Sequence, residues 1–162
     1  MRILGIDCGS LVTGYGVIEA EGRERRSVAY GAIETVKAGE LPERLRQVAD
    51  GLEGVIDRYR PDEAAIEDVF TKVNARSALV LAQVRGAAML CVARAGLPVA
   101  SYTPAQVKSS VVGYGNAGKG QVRHMVGVLL GLRETVSPLD VSDALAVAYC
   151  HANLRDAKQG GG

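Results

Sequence analysis

Four acidic residues stand in sequence contexts where carboxylates need a chemical explanation. Asp7 follows the apolar run Ile-Leu-Gly-Ile, and Glu67 follows Ala-Ala-Ile. An ionised carboxylate is seldom buried in a strand without a partner. Asp140 and Asp143 are spaced i and i+3, which puts both on one face of a helix. Four oxygen ligands, with no matching cluster of bases beside them in sequence, are typical of a Mg²⁺ or Mn²⁺ site.

Each of these acids also has a purely structural explanation. Asp140 could cap its helix, and Asp143 in the first turn would favour the helix dipole. Asp7 could accept hydrogen bonds from the turn that follows it. Asp68 alternates to the opposite face of the strand from Glu67, so we expect only one of this pair to face a site. The joint site is favoured because all four carboxylates fall at suitable places in one sheet.

The hydrophobic pattern predicts the elements that would position these acids. Apolar and alternating runs indicate strands over 2–7, 14–20, 27–36, 63–69 and 98–102. Helical spacing indicates helices over 41–60, 74–95, 104–112, 121–131 and 140–155. The first three strands read as an antiparallel meander, and the later strands follow helices, as parallel crossovers do. We therefore expect an α/β fold with a mixed five-stranded sheet flanked by helices, and the acids at strand carboxyl ends.

Length and composition narrow the class of protein. The 162 residues suit one domain, which we expect over 1–157, followed by a disordered tail over 158–162. No apolar run approaches the roughly 18 residues of a bilayer span, so we expect no membrane partner. The three cysteines cannot form a closed disulfide framework, and the N-terminus lacks a secretory pattern. These features predict a cytoplasmic protein.

Charge is sorted along the chain although its formal net value is only +1. Residues 69–133 contain no Asp or Glu and eight Lys or Arg. Such a stretch suits a surface that faces a polyanion, and the alternative is an ordinary solvated face. The candidate nucleic-acid contacts within it are Lys72, Arg76, Lys108, Lys119 and Arg123.

Two apolar features have alternative explanations. The helix over 74–95 is apolar around nearly its whole circumference, which indicates either a central buried helix or an interface with a second copy. Phe70 is the only Phe and follows Glu67 by three residues, at a strand exit. Its ring could stack on an unpaired base or simply pack in the core.

Several separated motifs together resemble the RuvC family of bacterial Holliday junction resolvases. They occur in unbroken order between residue 1 and about residue 152, and they include Gly5-Ile6-Asp7-Cys8-Gly9-Ser10, Ala65-Ile66-Glu67-Asp68-Val69-Phe70, Gln83-Val84-Arg85-Gly86, Gln106-Val107-Lys108 and Asp140-Val141-Ser142-Asp143-Ala144. The resemblance implies a ribonuclease H-like fold and a homodimer that makes paired incisions across four-way DNA junctions in recombination and repair. It also implies two Mg²⁺ ions per subunit, Mn²⁺ as a substitute, and the RuvA–RuvB branch-migration complex as a partner.

The resemblance assigns roles to residues by position. The four acids match the family's metal-binding carboxylates, Lys108 and Lys119 match basic residues near the scissile phosphate, and Phe70 matches an aromatic residue at the junction centre. One position departs from the pattern, because family members usually carry Pro where this chain has Cys8. The departure puts a thiol next to the expected metal site in sequence.

Two rival functions share some of these features. The pattern Gly-Ile-Asp-x-Gly-Ser also occurs in the phosphate loops of actin-like nucleotide-binding proteins, which need two such domains and a much longer chain. The other rival is a junction-binding module without catalysis, in which the carboxylates are structural.

Overall fold

The protein is described by a computed structural model over residues 1–37, 39–69 and 74–160, the side chain of residue 159 excepted. The strands are β1 Arg2–Asp7, β2 Val12–Glu21, β3 Glu24–Glu34, β4 Glu63–Glu67 and β5 Val99–Tyr102. They form one sheet in the order β3-β2-β1-β4-β5. The first three strands are antiparallel neighbours, while β4 pairs parallel with β1 and with β5. The predicted mixed sheet with an opening meander is confirmed.

Five helices accompany the sheet, close to the predicted positions. They are α1 Leu41–Tyr59, α2 Ala75–Arg94, α3 Pro104–Val112, α4 Lys119–Leu129 and α5 Leu139–Gly160. β4 ends two residues before the predicted boundary, and α4 begins two residues earlier than predicted. The prediction of a disordered tail from residue 158 is wrong for its first three residues, because α5 continues to Gly160; residues 161 and 162 lie outside the described residues.

Alternation along β1 divides the core into two layers. Ile3 packs with residues of α3, α4 and α5, whereas Leu4 and Ile6 pack with α1 and α2. The same alternation sends Gly5 and then Asp7 towards α5. Side chains at the end of β1 therefore project into the layer that α5 occupies.

Small residues let α5 lie unusually close to the sheet. A Cβ added at Gly5 would stand 2.1 Å from the carbonyl oxygen of Ala144, and one at Gly14 would stand 2.0 Å from that of Asp140. Both distances are far below van der Waals contact, so these positions exclude any side chain. The backbone of α5 is thus fixed against β1 and β2 from its first turn.

α2 differs from the other helices in how little of its apolar surface is covered. Its buried residues are Val84, Ala88, Cys91 and Val92, none of them in the first two turns of the helix, whereas Leu79 and Leu90 are 66% and 59% exposed. Of the two explanations that the sequence left open for this helix, the central buried helix is therefore excluded. Within the described residues, α2 is the one helix whose length and composition would allow it to cross a membrane. Its mean hydropathy is 1.3. The helix is not an uninterrupted apolar run, because Arg85 lies within it.

Candidate active site

Two of the predicted acids lie side by side at the carboxyl edge of the sheet. β1 and β4 run parallel with Ile6 opposite Ile66, so Asp7 and Glu67 come next on neighbouring strands. Ala65 packs in the α5 layer, and alternation directs Glu67 to the same side. Two carboxylates from strands remote in sequence therefore face one cleft.

The other two acids reach this edge from the first turn of α5. Gly14 pairs with Asp7 across β1 and β2, and the backbone of Asp140 lies directly against Gly14. The Asp140 Oδ1 atom also lies 3.4 Å from the position that a Cβ would take at Gly9, in the loop after β1. Asp140 therefore stands beside Asp7, and Asp143 follows one helical turn later. The close packing of α5 on the sheet is what produces this convergence.

Electrostatics show how strongly the carboxylates interact. Burial raises the pKa of Asp7 well above its usual value, and the other three carboxylates raise it further. The pKa of Glu67 is raised to about 7, chiefly by burial and then by Asp143. Burial also raises the pKa of Asp143, against the lowering effect of Lys119. The cleft thus concentrates negative charge that a bound cation would stabilise.

The donor set fits a hard divalent cation. All four groups offer carboxylate oxygens, which Mg²⁺ and Mn²⁺ prefer over nitrogen or sulfur ligands. Among the described residues, no three acidic, His or Cys side chains are arranged as ligands of a single ion. The other three carboxylates lie close enough to Asp7 to raise its pKa, so all four acids border one small region of the cleft.

Two lysines border the same cleft. Lys119, the first residue of α4, places Nζ 3.7 Å from Asp143 Oδ2, and its side chain is 69% exposed. Lys108 of α3 lines a cavity of about 260 Å³ together with Lys119, Glu67 and Asp143. Both ammonium groups lower the pKa of Glu67 and of Asp143. The structure therefore unites both predicted lysines with the predicted acids.

Asp68 lies on the opposite face, as alternation predicts. Its Oδ1 accepts a hydrogen bond of 2.7 Å from the Arg85 guanidinium on α2. The same guanidinium donates to the Ser101 Oγ at 2.6 Å and to the Glu67 carbonyl oxygen at 3.3 Å. Arg85 thus fastens the end of β4 to α2 and β5. The sequence signals at Arg85 were its place in the acid-free stretch and in the motif Gln83-Val84-Arg85-Gly86, and neither indicated this structural role.

Cys8 also lies on the face away from the carboxylates. It packs at the edge of the α1 and α2 layer, and burial, followed by the charge of Asp7, raises the pKa of its thiol to about 12. The thiol therefore stays protonated near neutral pH and is a poor nucleophile and metal ligand. Adjacency in sequence to Asp7 does not put this sulfur into the cleft.

The remaining predicted DNA contacts lie outside the cleft or outside the described residues. Phe70 and Lys72 fall in the segment 70–73, which the structure does not describe. Arg76 is exposed in the first turn of α2. Arg123 lies one turn beyond Lys119 on α4 and lines a separate cavity with His124 and Arg133.

Comparisons with known proteins agree with this geometry. The family model for crossover junction endodeoxyribonuclease RuvC matches residues 3–151. The chain is 54% identical to the RuvC protein of Geobacter sulfurreducens over 94% of this chain and 93% of that protein. It is 53% identical to the protein of the same name from Chromobacterium violaceum, over 94% of this chain and 86% of that one.

Solved structures extend the likeness to the fold. Thermus thermophilus RuvC superposes with a TM-score of 0.87 at 33% identity, covering 99% of this chain and 97% of that one. The same protein in complex with a Holliday junction substrate gives a TM-score of 0.88 at 30% identity, covering 97% and 96%. The predicted ribonuclease H-like architecture is confirmed. The chain therefore belongs to the RuvC family of crossover junction endodeoxyribonucleases.

Proposed function

We propose that this protein resolves four-way DNA junctions by cutting two strands symmetrically, through metal-dependent phosphodiester hydrolysis. The observation that carries the proposal is the convergence of four carboxylates and two lysines at one edge of the sheet, in a chain of this family. A relative of known structure was solved with Holliday junction DNA, which supports the same substrate for this chain.

In this proposal the acids Asp7, Glu67, Asp140 and Asp143 bind the metal. Two Mg²⁺ ions per subunit, with Mn²⁺ as a substitute, suit the carboxylate oxygens and the charge they concentrate. A metal held there would supply an activated water for attack on the phosphodiester and would stabilise the leaving 3′-oxygen. Asp7 would be the central ligand, because all three other carboxylates lie near enough to raise its pKa.

The lysines act on the substrate in this proposal. Four carboxylates alone would repel a DNA strand, and Lys108 and Lys119 offset that repulsion at the mouth of the cleft. Lys119 is mostly exposed and touches Asp143, so the same ammonium group can reach a phosphate oxygen that enters the site. Charge that develops on the phosphate during cleavage is stabilised by these two groups.

Contacts beyond the cleft hold the arms of the junction. Arg76 is exposed on α2 and Arg123 is partly exposed on α4, and Lys72 belongs to the same acid-free stretch. Phe70, just after β4, is proposed to stack on a base at the junction centre. Phosphate contacts of this kind position DNA without reading its sequence.

The active assembly is proposed to be a homodimer. A four-way junction has approximate two-fold symmetry, and paired cuts need two active sites related in the same way. α2 offers the surface, because Leu79 and Leu90 leave a large apolar area of this helix exposed in the single chain. We further propose that the dimer works in the cytoplasm with the RuvA–RuvB branch-migration complex.

One titration separates this function from its rivals. Labelled four-way junctions are mixed with the protein, and Mg²⁺ is added in steps while products are separated on denaturing gels. Paired cuts in opposite arms that depend on Mg²⁺ support resolution. A retained but uncut junction would instead indicate a binding module, and ATP turnover without cutting would indicate a nucleotide-binding protein.

A further inference from the structure

A cavity with basic side chains borders the loop that follows Asp7. It has a volume of about 540 Å³ and is lined by this loop, the segment after β3, α1 and α2. Its polar side chains are Ser10, Lys37, Arg44, Arg76 and Ser77. We call this space the basic cavity. It shares no lining residue with the carboxylate cleft.

The basic cavity carries three cationic side chains and no acidic one among its lining residues. Lys37, Arg44 and Arg76 come from three separate parts of the chain, and none of them forms an ion pair with a described residue. Three like charges facing one space repel each other unless an anion is bound between them. Without a bound anion, this arrangement of charges does not stabilise the folded protein.

Arg44 gives the clearest sign of an absent partner. Its Nε atom is buried and has no hydrogen-bond partner among the described residues. A buried polar atom of this kind is rare in native proteins, because losing water without gaining a partner costs free energy. Arg44 therefore lines the cavity without a described partner for its Nε, and its guanidinium carries further N–H donors of the kind that bind an oxyanion.

Hydrogen bonds tie the cavity wall to the loop next to the active site. The carbonyl oxygen of Leu11 accepts from the backbone N and the Oγ1 of Thr35, at 2.9 and 3.0 Å. The backbone N of Val36 donates to Gln47 Oε1 of α1 at 3.1 Å. These bonds connect the segment that bears Lys37 to the loop after β1 and to α1. The part of the cavity wall that bears Lys37 is thus braced against the loop that follows Asp7.

We propose that the basic cavity binds a backbone phosphate of the junction DNA, at a distance from the phosphate that is cut. The inference rests on the proposed function, because it takes junction DNA as the ligand. Arginine and lysine side chains form charge-assisted hydrogen bonds with phosphate oxygens, and such contacts fix the orientation of a duplex on a protein. Two of the three cations come from the acid-rich first third of the chain, so the DNA-binding surface extends beyond the acid-free stretch.

Charge-removing variants test this proposal by binding and by salt dependence. We expect Arg44→Gln, Lys37→Gln and Arg76→Gln each to weaken junction binding about 3-fold to about 10-fold. A plot of the logarithm of the association constant against the logarithm of salt concentration has a negative slope. For each variant this slope should become shallower by about 1. Single-turnover cleavage at saturating protein should remain as in the wild type for Arg44→Gln and Lys37→Gln, since the cleft is untouched. Arg44→Lys should retain most of the affinity.

Arg23→Gln is the matched control, because Arg23 is exposed in the turn between β2 and β3 and its loss removes the same charge. Affinity and salt slope equal to those of this control in all three cavity variants would overturn the inference. Thermal melting checks whether Arg44→Gln folds. If it does not, the variants of Lys37 and Arg76 still test the proposal, because both of these side chains are exposed. Wild-type protein that neither binds nor cuts junctions would instead overturn the proposed function.

Junctions with single neutral methylphosphonate linkages locate the phosphate. At one linkage we expect the wild type to lose affinity while Arg44→Gln loses none, because the partner charge is already gone. Additive losses at every linkage would contradict direct contact between Arg44 and the DNA backbone.

Discussion

Glu67 combines a cost in stability above neutral pH with a proposed role in metal binding. Its pKa is raised from the usual 4.5 to about 7, mainly because it is buried and next because Asp143 repels it. The folded state therefore holds its proton more tightly than the unfolded state does. It follows that this residue stabilises the fold at low pH, and that this stability is lost as the pH rises from about 4.5 through about 7.

The variant Glu67→Gln should separate these two effects. We expect junction affinity to be retained and cleavage to fall by at least about 1,000-fold, because a metal ligand is lost. At pH 8 without added metal, the free energy of unfolding should rise by about 1 to 3 kcal/mol, because an ionised buried group is gone. Gel cleavage assays and urea unfolding measure the two quantities. Glu53→Gln, on the exposed face of α1, is the control and should cut as the wild type does. If Glu67→Gln also cuts at the wild-type rate, Glu67 is not a metal ligand.

Lys119 influences the same carboxylates from outside the sheet. Its ammonium group lowers the pKa of both Glu67 and Asp143. In Lys119→Ala these acids should hold their protons to higher pH, so the pH of half-maximal cleavage should move upward. At pH 7 we expect the single-turnover rate to fall by at least about 10-fold. Lys119→Arg keeps the charge and should keep the midpoint; an unshifted midpoint in the Ala variant would contradict the electrostatic role.

The acids could be predicted from the sequence because they interrupt apolar runs, whereas Arg44 and Arg85 could not. A carboxylate at the end of a buried strand is unusual enough to be noticed from residue type alone. An arginine in a charged helix looks the same whether it is solvated or aimed at a ligand. Their roles depend on which helix packs beside which strand end, and that is set by contacts remote in sequence.

At the scale of elements, the position of α5 decides whether the site exists. Two of the four acids reach the sheet edge only because Gly14 and Gly5 allow the helix backbone to touch the strands. Hydrophobic periodicity predicted where the strands and helices lie, but not this close approach. Periodicity also failed at the C-terminal end of α5, because the polar residues after 155 continue the helix without an apolar pattern.

Gly14→Ala should therefore damage the site from a distance. The added Cβ would meet the Asp140 carbonyl oxygen at 2.0 Å, so the first turn of α5 must move away from β2. We expect a loss of about 1 to 3 kcal/mol in unfolding free energy, and a fall in cleavage at temperatures where the variant is still folded. Gly54→Ala, in α1 with open space around it, should be neutral or stabilising. Wild-type cleavage by Gly14→Ala would show that the helix position is not critical.

At the scale of the whole molecule, surface composition points to an assembly larger than one chain. The carboxylate cleft, the basic cavity and the apolar side of α2 are three chemically different surfaces on a protein of 17.0 kDa. Exposure of the apolar side of α2 to water is unfavourable, and Leu79 and Leu90 on that side are more than half exposed. A second copy related by a two-fold axis would cover this helix and present two clefts to one junction.

Leu90→Glu tests that assembly at its apolar surface. A buried charge at the interface would be unpaired, so we expect the wild-type protein to sediment as a dimer and the variant as a monomer at micromolar concentration. The monomer should cut single strands at random times instead of making paired incisions, because nothing holds a second cleft on the same junction. Val128→Glu, at a residue 61% exposed on α4, is the matched control and should remain dimeric. If Leu90→Glu sediments and cuts as the wild type does, the interface lies elsewhere and the exposed side of α2 has another partner.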